Sequence, residues 1–95
     1  MTSKQRAYLR GLANSLNPIF QIGKNDYNEN FVVQISEALE ARELIKISIL
    51  NNSMQDAKSV SRVLANQTNS HVVQVIGSRF VLYKESKDNK QIQLP

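Results

Sequence analysis

Residues 71–83 read HVVQVIGSRFVLY, and the way this stretch folds decides what kind of sheet the chain can build. HVVQVI and RFVLY are both rich in β-branched and aromatic residues, and only Gly77-Ser78 separates them. A two-residue link with glycine first suits a type II′ turn, which makes the pair an antiparallel hairpin. Upstream, LIKISIL at residues 44–50 alternates Ile45, Ile47 and Ile49 with Lys46 and Ser48, the pattern of a half-buried strand. IFQI at residues 19–22 follows Pro18, which blocks helix continuation, and reads as a short strand.

Helical spacing fills the remaining segments. Tyr8, Leu9, Leu12, Ala13 and Leu16 mark a first helix over residues 3–16, with Thr2 or Ser3 as its cap. Phe31, Val32, Ile35, Ala38 and Leu39 mark a second, ending near Glu43. After a turn at NNS, Ala57, Val60, Val63 and Leu64 mark a third, which turns Lys58 and Arg62 to solvent. The order is α-β-α-β-α-β-β. Strands separated by helices favour parallel pairing with right-handed crossovers, whereas the terminal hairpin is antiparallel. The expected fold is therefore α/β: two layers, with a mixed four-stranded sheet backed by three helices. Gln21, Lys46, Ser48 and Gln74 at alternate strand positions imply that one sheet face is only partly covered. Phe20, Phe31, Phe80 and Leu82 belong to the core, while Tyr83 suits either core or surface. The polar tail KESKDNKQIQLP, residues 84–95, either adds a weak edge strand or trails free.

A chain of 95 residues is one domain, and at this size it buries roughly 60–70% of the surface its unfolded form exposes. There is no cysteine and a single histidine, His71, so neither a disulfide framework nor a soft-metal site is expected, and no cofactor. His71 reads as an ordinary strand residue. No apolar run approaches a membrane span or the core of a signal peptide, and a soluble cytoplasmic monomer is the expectation. The net charge of +4 is unevenly spread: Lys4, Arg6, Arg10 and Lys24 stand without an acid in residues 1–24. Six acids face Arg42 and Lys46 in residues 25–56, and six bases face Glu85 and Asp88 in residues 57–95. Basic ends around an acidic middle suit a polyanion met by one face, or simply solubility.

Residues 21–28, QIGKNDYN, link the first strand to the second helix, and two readings stand side by side. Gly23 lets the backbone approach a phosphate, the helix end attracts negative charge, and Lys24 adds a direct contact. Alternatively, Asp26 caps the second helix with Glu29 reaching back, and so occupies the same donors. The GxxxxGK[ST] spacing of a nucleotide-hydrolysing loop is absent. Tyr27 either packs beside the second helix or stacks on a base.

Several separate stretches, KQRAYLRGLA, LNPIFQIGKN, QISEALEARELIKISIL and VVQVIGSRFVLYKESKDNKQIQLP, together resemble a stand-alone CRM-domain protein of the YhbY type over residues 3–95. The resemblance implies an RNA-binding domain shaped like the C-terminal domain of translation initiation factor three. It also implies association with precursors of the large ribosomal subunit; plant organellar relatives act in intron splicing. The family's Gly-x-x-Gly loop is comparable to that of KH domains, which clamps an RNA backbone. Gly23, Lys24 and Asn25 match its first three positions, but Asp26 stands where the second glycine belongs. That departure predicts a weaker grip, because a carboxylate opposes phosphate unless it is engaged elsewhere.

With the resemblance in hand, the expected RNA contacts are Lys4, Arg6 and Arg10 of the first helix, the loop residues Gly23, Lys24 and Asn25, Lys46 on the polar side of its strand, and Lys84 beyond the hairpin. Lys87 extends the last of these. Arg6 and Arg10, four residues apart, share a helix side. Glu37, Glu40 and Glu43 follow helical spacing and read as an acidic solvent face turned away from RNA. The expected partner is ribosomal RNA or a particle on the way to a large subunit, with no membrane and no small-molecule substrate. No nucleophile–base pair or metal cluster suggests an enzyme. The alternative is a module that docks on a ribosomal protein or assembly factor through its acidic middle.

Overall fold

The computed structural model describes residues 1–23, 28–50 and 56–95. Its elements run α1 (Ser3–Ala13), β1 (Phe20–Ile22), α2 (Glu29–Arg42), β2 (Leu44–Ile49), α3 (Ala57–Thr68), β3 (His71–Ile76) and β4 (Arg79–Tyr83). The four strands form one sheet in the order β1-β2-β4-β3. β1 and β2 are parallel, as expected for strands joined through a helix, with Phe20 opposite Ile47 and Ile22 opposite Ile49. β2 and β3 are also joined through a helix, yet they do not pair. The hairpin folds back so that β4 inserts between them, antiparallel to both. Gly77 takes φ 57° at the first turn position and Ser78 keeps a negative φ, the signs of the expected type II′ turn.

Alternation along β2 and β4 divides the core in two. Ile45, Ile47, Ile49, Phe80 and Leu82 face α2 and α3, where they join Ile22, Phe31, Ile35, Leu39, Val60 and Leu64. Leu44, Val81 and Tyr83 point the other way and, with Val73, receive Leu9 and Ala13 of α1. Sheet, α2 and α3 make the expected two layers; α1 adds a partial third on the opposite face. The buried hydroxyls of α3 are satisfied within its own ladder: Ser61 donates to the Lys58 carbonyl and Thr68 to that of Leu64.

Helix ends follow local chemistry. Thr2 and Gln5 form a reciprocal capping box on α1. The N-cap of α2 is Asn28, whose side-chain oxygen accepts from the Phe31 amide at 2.9 Å. This replaces the expected Asp26 cap: an asparagine two residues nearer the helix already occupies the position. Asp26 itself lies outside the described residues.

The tail departs most from expectation. It adds no strand and does not trail free. Glu43, at the C-cap of α2, is wholly buried, and its carboxylate accepts from the backbone amides of Ser86, Gln91 and Ile92 at 2.6–2.8 Å. Glu40 accepts from the amides of Lys87 and Asp88 and from the Ser86 hydroxyl. Thus the expected acidic solvent face holds for Glu37 but fails for Glu40 and Glu43, which gather the chain's own end. Glu43 adopts φ 67°, a conformation usually left to glycine, and its carboxylate bonds keep it there. Beyond this clasp, Ile92 and Leu94 pack beside α1 on the second core.

Candidate nucleic-acid interface

α1 and the tail seal only one end of their sheet face, around Leu44, Val73 and Tyr83. Among the described residues the other end stays open, and strand register fixes its residues. One cross-strand row runs Gln21, Ser48, Arg79, Ile76, and the next runs Lys46, Val81, Gln74. Lys46, Gln74, Ile76, Arg79 and Val81 line a cavity of about 150 Å³ there. Val81 lies nearly covered at its base, and Ile76 is 64% exposed at its rim. The ion pair found among the described residues, Lys90 with Glu85, lies in the tail, so Lys46 and Arg79 have no acidic partner among the described residues. The two rows contain no acid. This open end is the partly covered face that the alternating polar residues predicted.

A β-bulge shapes the same surface. Val72 opposes Leu82 and Gln74 opposes Val81, which leaves Val73 as the extra residue. Strict alternation from Val72 would turn Gln74 toward α2 and α3. The inserted residue re-aims it, so Val73 fills the core under α1 while Gln74 and Ile76 reach the open face.

At the sheet edge, Phe20, Gln21, Asn28, Asn30, Phe31 and Gln34 border a second cavity of about 280 Å³. Its polar groups are neutral amides, which donate and accept without adding charge. An edge-to-face contact between the Phe20 and Phe31 rings, centroids 5.8 Å apart, ties β1 to the start of α2. Both ends of the intervening loop are therefore anchored: Gly23 is buried and Asn28 caps the helix. Lys24, Asn25 and Tyr27 lie outside the described residues.

The remaining expected contacts divide. Lys4 and Arg10 are exposed on α1, on the same side of the sheet as Lys46 and Arg79. Arg6 is half-buried, and its guanidinium donates to the Val72 carbonyl on the outer edge of β3. One of its five N–H donors is thus engaged in the fold. Lys84 follows Tyr83 at the far end of β4, about 16 Å of strand from Arg79, and the structure does not bring it to the open end. Tyr83 is buried and belongs to the core. Sequence reasoning missed Arg79, Asn30 and Gln34. Arg79 carried a signal, since RFVLY alternates and its first residue shares a face with Val81, but that face becomes the Lys46 face only once β4 pairs with β2.

Two carboxylates titrate abnormally, both in the tail clasp. Amide and hydroxyl donors from Lys87, Ser86 and Asp88 hold Glu40 down at about 2, from an ordinary 4.5. For Glu43, burial pushes the pKa upward, but the amides of Ser86, Gln91 and Ile92 and the charge of Lys90 outweigh it and leave the group below its usual range. Among the described residues, no group of three or more His, Cys, Asp or Glu is placed to hold a metal, and no helix is long and apolar enough to cross a membrane.

The model of the CRS1 / YhbY (CRM) domain matches residues 1–84. The chain is 54% identical to a Bacillus subtilis protein named as a probable RNA-binding protein, YqeI, over all of this chain and 99% of that one. It is 35% identical to an RNA-binding protein of Haemophilus influenzae, over all of this chain and 95% of the relative. The solution structure of a hypothetical Staphylococcus aureus protein, described as an RNA-binding candidate, superposes with a TM-score of 0.81 at 53% identity, covering 100% and 99% of the two chains.

Proposed function

Because the chain belongs to the CRS1/YhbY (CRM) domain family, we propose that it binds structured RNA through the open end of its sheet together with α1. The observation that carries this reading is that Lys46 and Arg79 share a sheet face whose two cross-strand rows hold no acid and which no described helix covers. Unpaired cations on such a face neutralise phosphates and release counterions, so affinity falls steeply with salt. Lys4 and Arg10 extend the charge along the same side, and Gln21 joins the open rows to the amide-lined edge beside the loop. Relatives named as a probable RNA-binding protein and an RNA-binding protein, matched along nearly their whole length, support the assignment.

The finer proposal follows the family resemblance: the RNA is ribosomal, the bound particle is a precursor of the large subunit, and the protein acts there as a cytoplasmic monomer and not as an enzyme. The docking alternative loses part of its support, since Glu40 and Glu43, two of the six acids of the middle, are turned to the protein's own tail.

Titrating fragments of large-subunit ribosomal RNA at several salt concentrations tests the site. Lys46→Ala and Arg79→Ala should each lower affinity and reduce the salt slope by about one. Unchanged slopes would remove the open face from the interface. Crosslinking in cells, followed by mapping of the adducts, tests the partner; adducts confined to messenger RNA would end the ribosomal proposal.

A further inference from the structure

We propose that the cavity bounded by Lys46, Gln74, Ile76, Arg79 and Val81 receives a single unpaired nucleotide and engages its base through the Gln74 amide. This rests on the RNA-binding reading and adds a basis for selectivity. A sheet face that served only to attract phosphates would need cations alone. Here two cations share the cavity with an apolar residue, Ile76, which is 64% exposed, and with an amide that a β-bulge has turned onto their side.

Each part matches one part of a nucleotide. Lys46 and Arg79 are positioned for the phosphates on either side of an extruded residue, and among the described residues neither has an acidic partner that must first be displaced. Ile76 and Val81 offer an apolar surface to the flat face of a base. Gln74 presents an acceptor and two donors side by side, and unpaired bases expose donor–acceptor edges that a duplex hides. Such edges occur on all four bases. The cavity therefore senses that a nucleotide is unpaired, rather than which base it carries. Bulges and loops of a folded RNA are the class of partner this chemistry selects, and a perfect duplex is the class it passes over.

Three RNA hairpins of one sequence provide the test: a fully paired stem, the same stem with one bulged nucleotide, and that bulge with its base removed. The full-length protein should prefer the bulged stem over the abasic one by about tenfold, the scale of one good amide–base pair. Gln74→Ala and Ile76→Ala, both at exposed or half-exposed positions, should bring the bulged stem down toward the abasic level, with the salt slope and melting temperature unchanged. Equal affinity for bulged and abasic stems, or a full preference retained by Gln74→Ala, would overturn the inference while leaving RNA binding in place. Failure to bind any of the three, or the ribosomal fragments, would remove both readings together.

Discussion

The face of the sheet that carries α1 has two ends built from the same strands, and they differ in what the alternate positions hold. At the sealed end, β2 and β4 contribute Leu44 and Tyr83, and Leu9, Ala13, Leu16, Ile92 and Leu94 close over them. At the open end, the same two strands contribute Ser48 and Arg79, and neither α1 nor the tail reaches them. Burial of apolar surface contributes about 25 cal/mol per Å², whereas covering an unpaired lysine or arginine costs several kcal/mol. A helix laid on this face therefore settles over leucine and tyrosine and stops short of the cations. The open surface is a consequence of strand composition rather than of a short helix.

The largest expected effect lies at the sealed end. Glu43→Ala removes the acceptor for three backbone amides in a buried place and frees Ile92 and Leu94 from their seat beside α1. A loss of roughly 3 kcal/mol is expected, on the order of 15 °C in melting temperature for a domain of this size. Glu43→Gln should cost less, since its oxygen still accepts while its NH2 faces donors. Chemical denaturation measures both. A cost below about 1 kcal/mol for Glu43→Ala would mean that the tail seals nothing.

At the open end the balance reverses. The double variant Lys46→Glu, Arg79→Glu should weaken RNA binding about thirtyfold, or ~2 kcal/mol, and change stability by no more than about 0.5 kcal/mol. Destabilisation as large as that of Glu43→Ala would show that these two cations serve the fold.

How much of this contrast can be read from sequence depends on whether local or long-range information sets it. Element order, the turn at Gly77-Ser78, a cap at Thr2 or Ser3 (Thr2 in the structure) and the inward isoleucines of β2 follow from residues close in sequence, and they read correctly. Strand order does not, because inserting β4 between β2 and β3 is a choice among pairings that the same alternation permits. The alternation of RFVLY could not assign Arg79 to the Lys46 face for that reason. Glu43 was misread for another: its spacing matches an exposed helix stripe, and only a tail more than forty residues away turns it into a buried acceptor. The bulge at Val73 leaves no mark in a run of valines, though it decides which way Gln74 points. Lys24, Asn25 and Asp26 of the loop lie outside the described residues.

Acid should distinguish the two ends by sign. Glu40 has its pKa depressed to about 2, so its contribution is fully present above 4.5 and is lost as pH falls from there toward 2; the shift of Glu43 has the same direction. The tail should therefore loosen in that window, seen as moving amide resonances of Lys87 and Asp88, while those of Lys46 and Arg79 change little. A midpoint near 4.5 for the tail amides would mean that the carboxylates are not held as described.

The smallest effect concerns Arg6, which belongs to both ends at once. Its guanidinium holds the Val72 carbonyl on the exposed edge of β3, next to the bulge that orients Gln74, while its helix carries the exposed Lys4 and Arg10. An edge carbonyl returned to water loses one charge-assisted hydrogen bond, so Arg6→Ala should cost about 1 kcal/mol of stability. Arg10→Ala is the natural control, because Arg10 is exposed and has no partner among the described residues. It should leave stability unchanged and reduce the salt slope of RNA binding by about one. If Arg6 only contacts phosphate, the two variants will behave alike. If it also anchors the edge, Arg6→Ala alone will lower the melting temperature and blunt the preference for a bulged stem, because the strand that aims Gln74 will have lost its outer fastening.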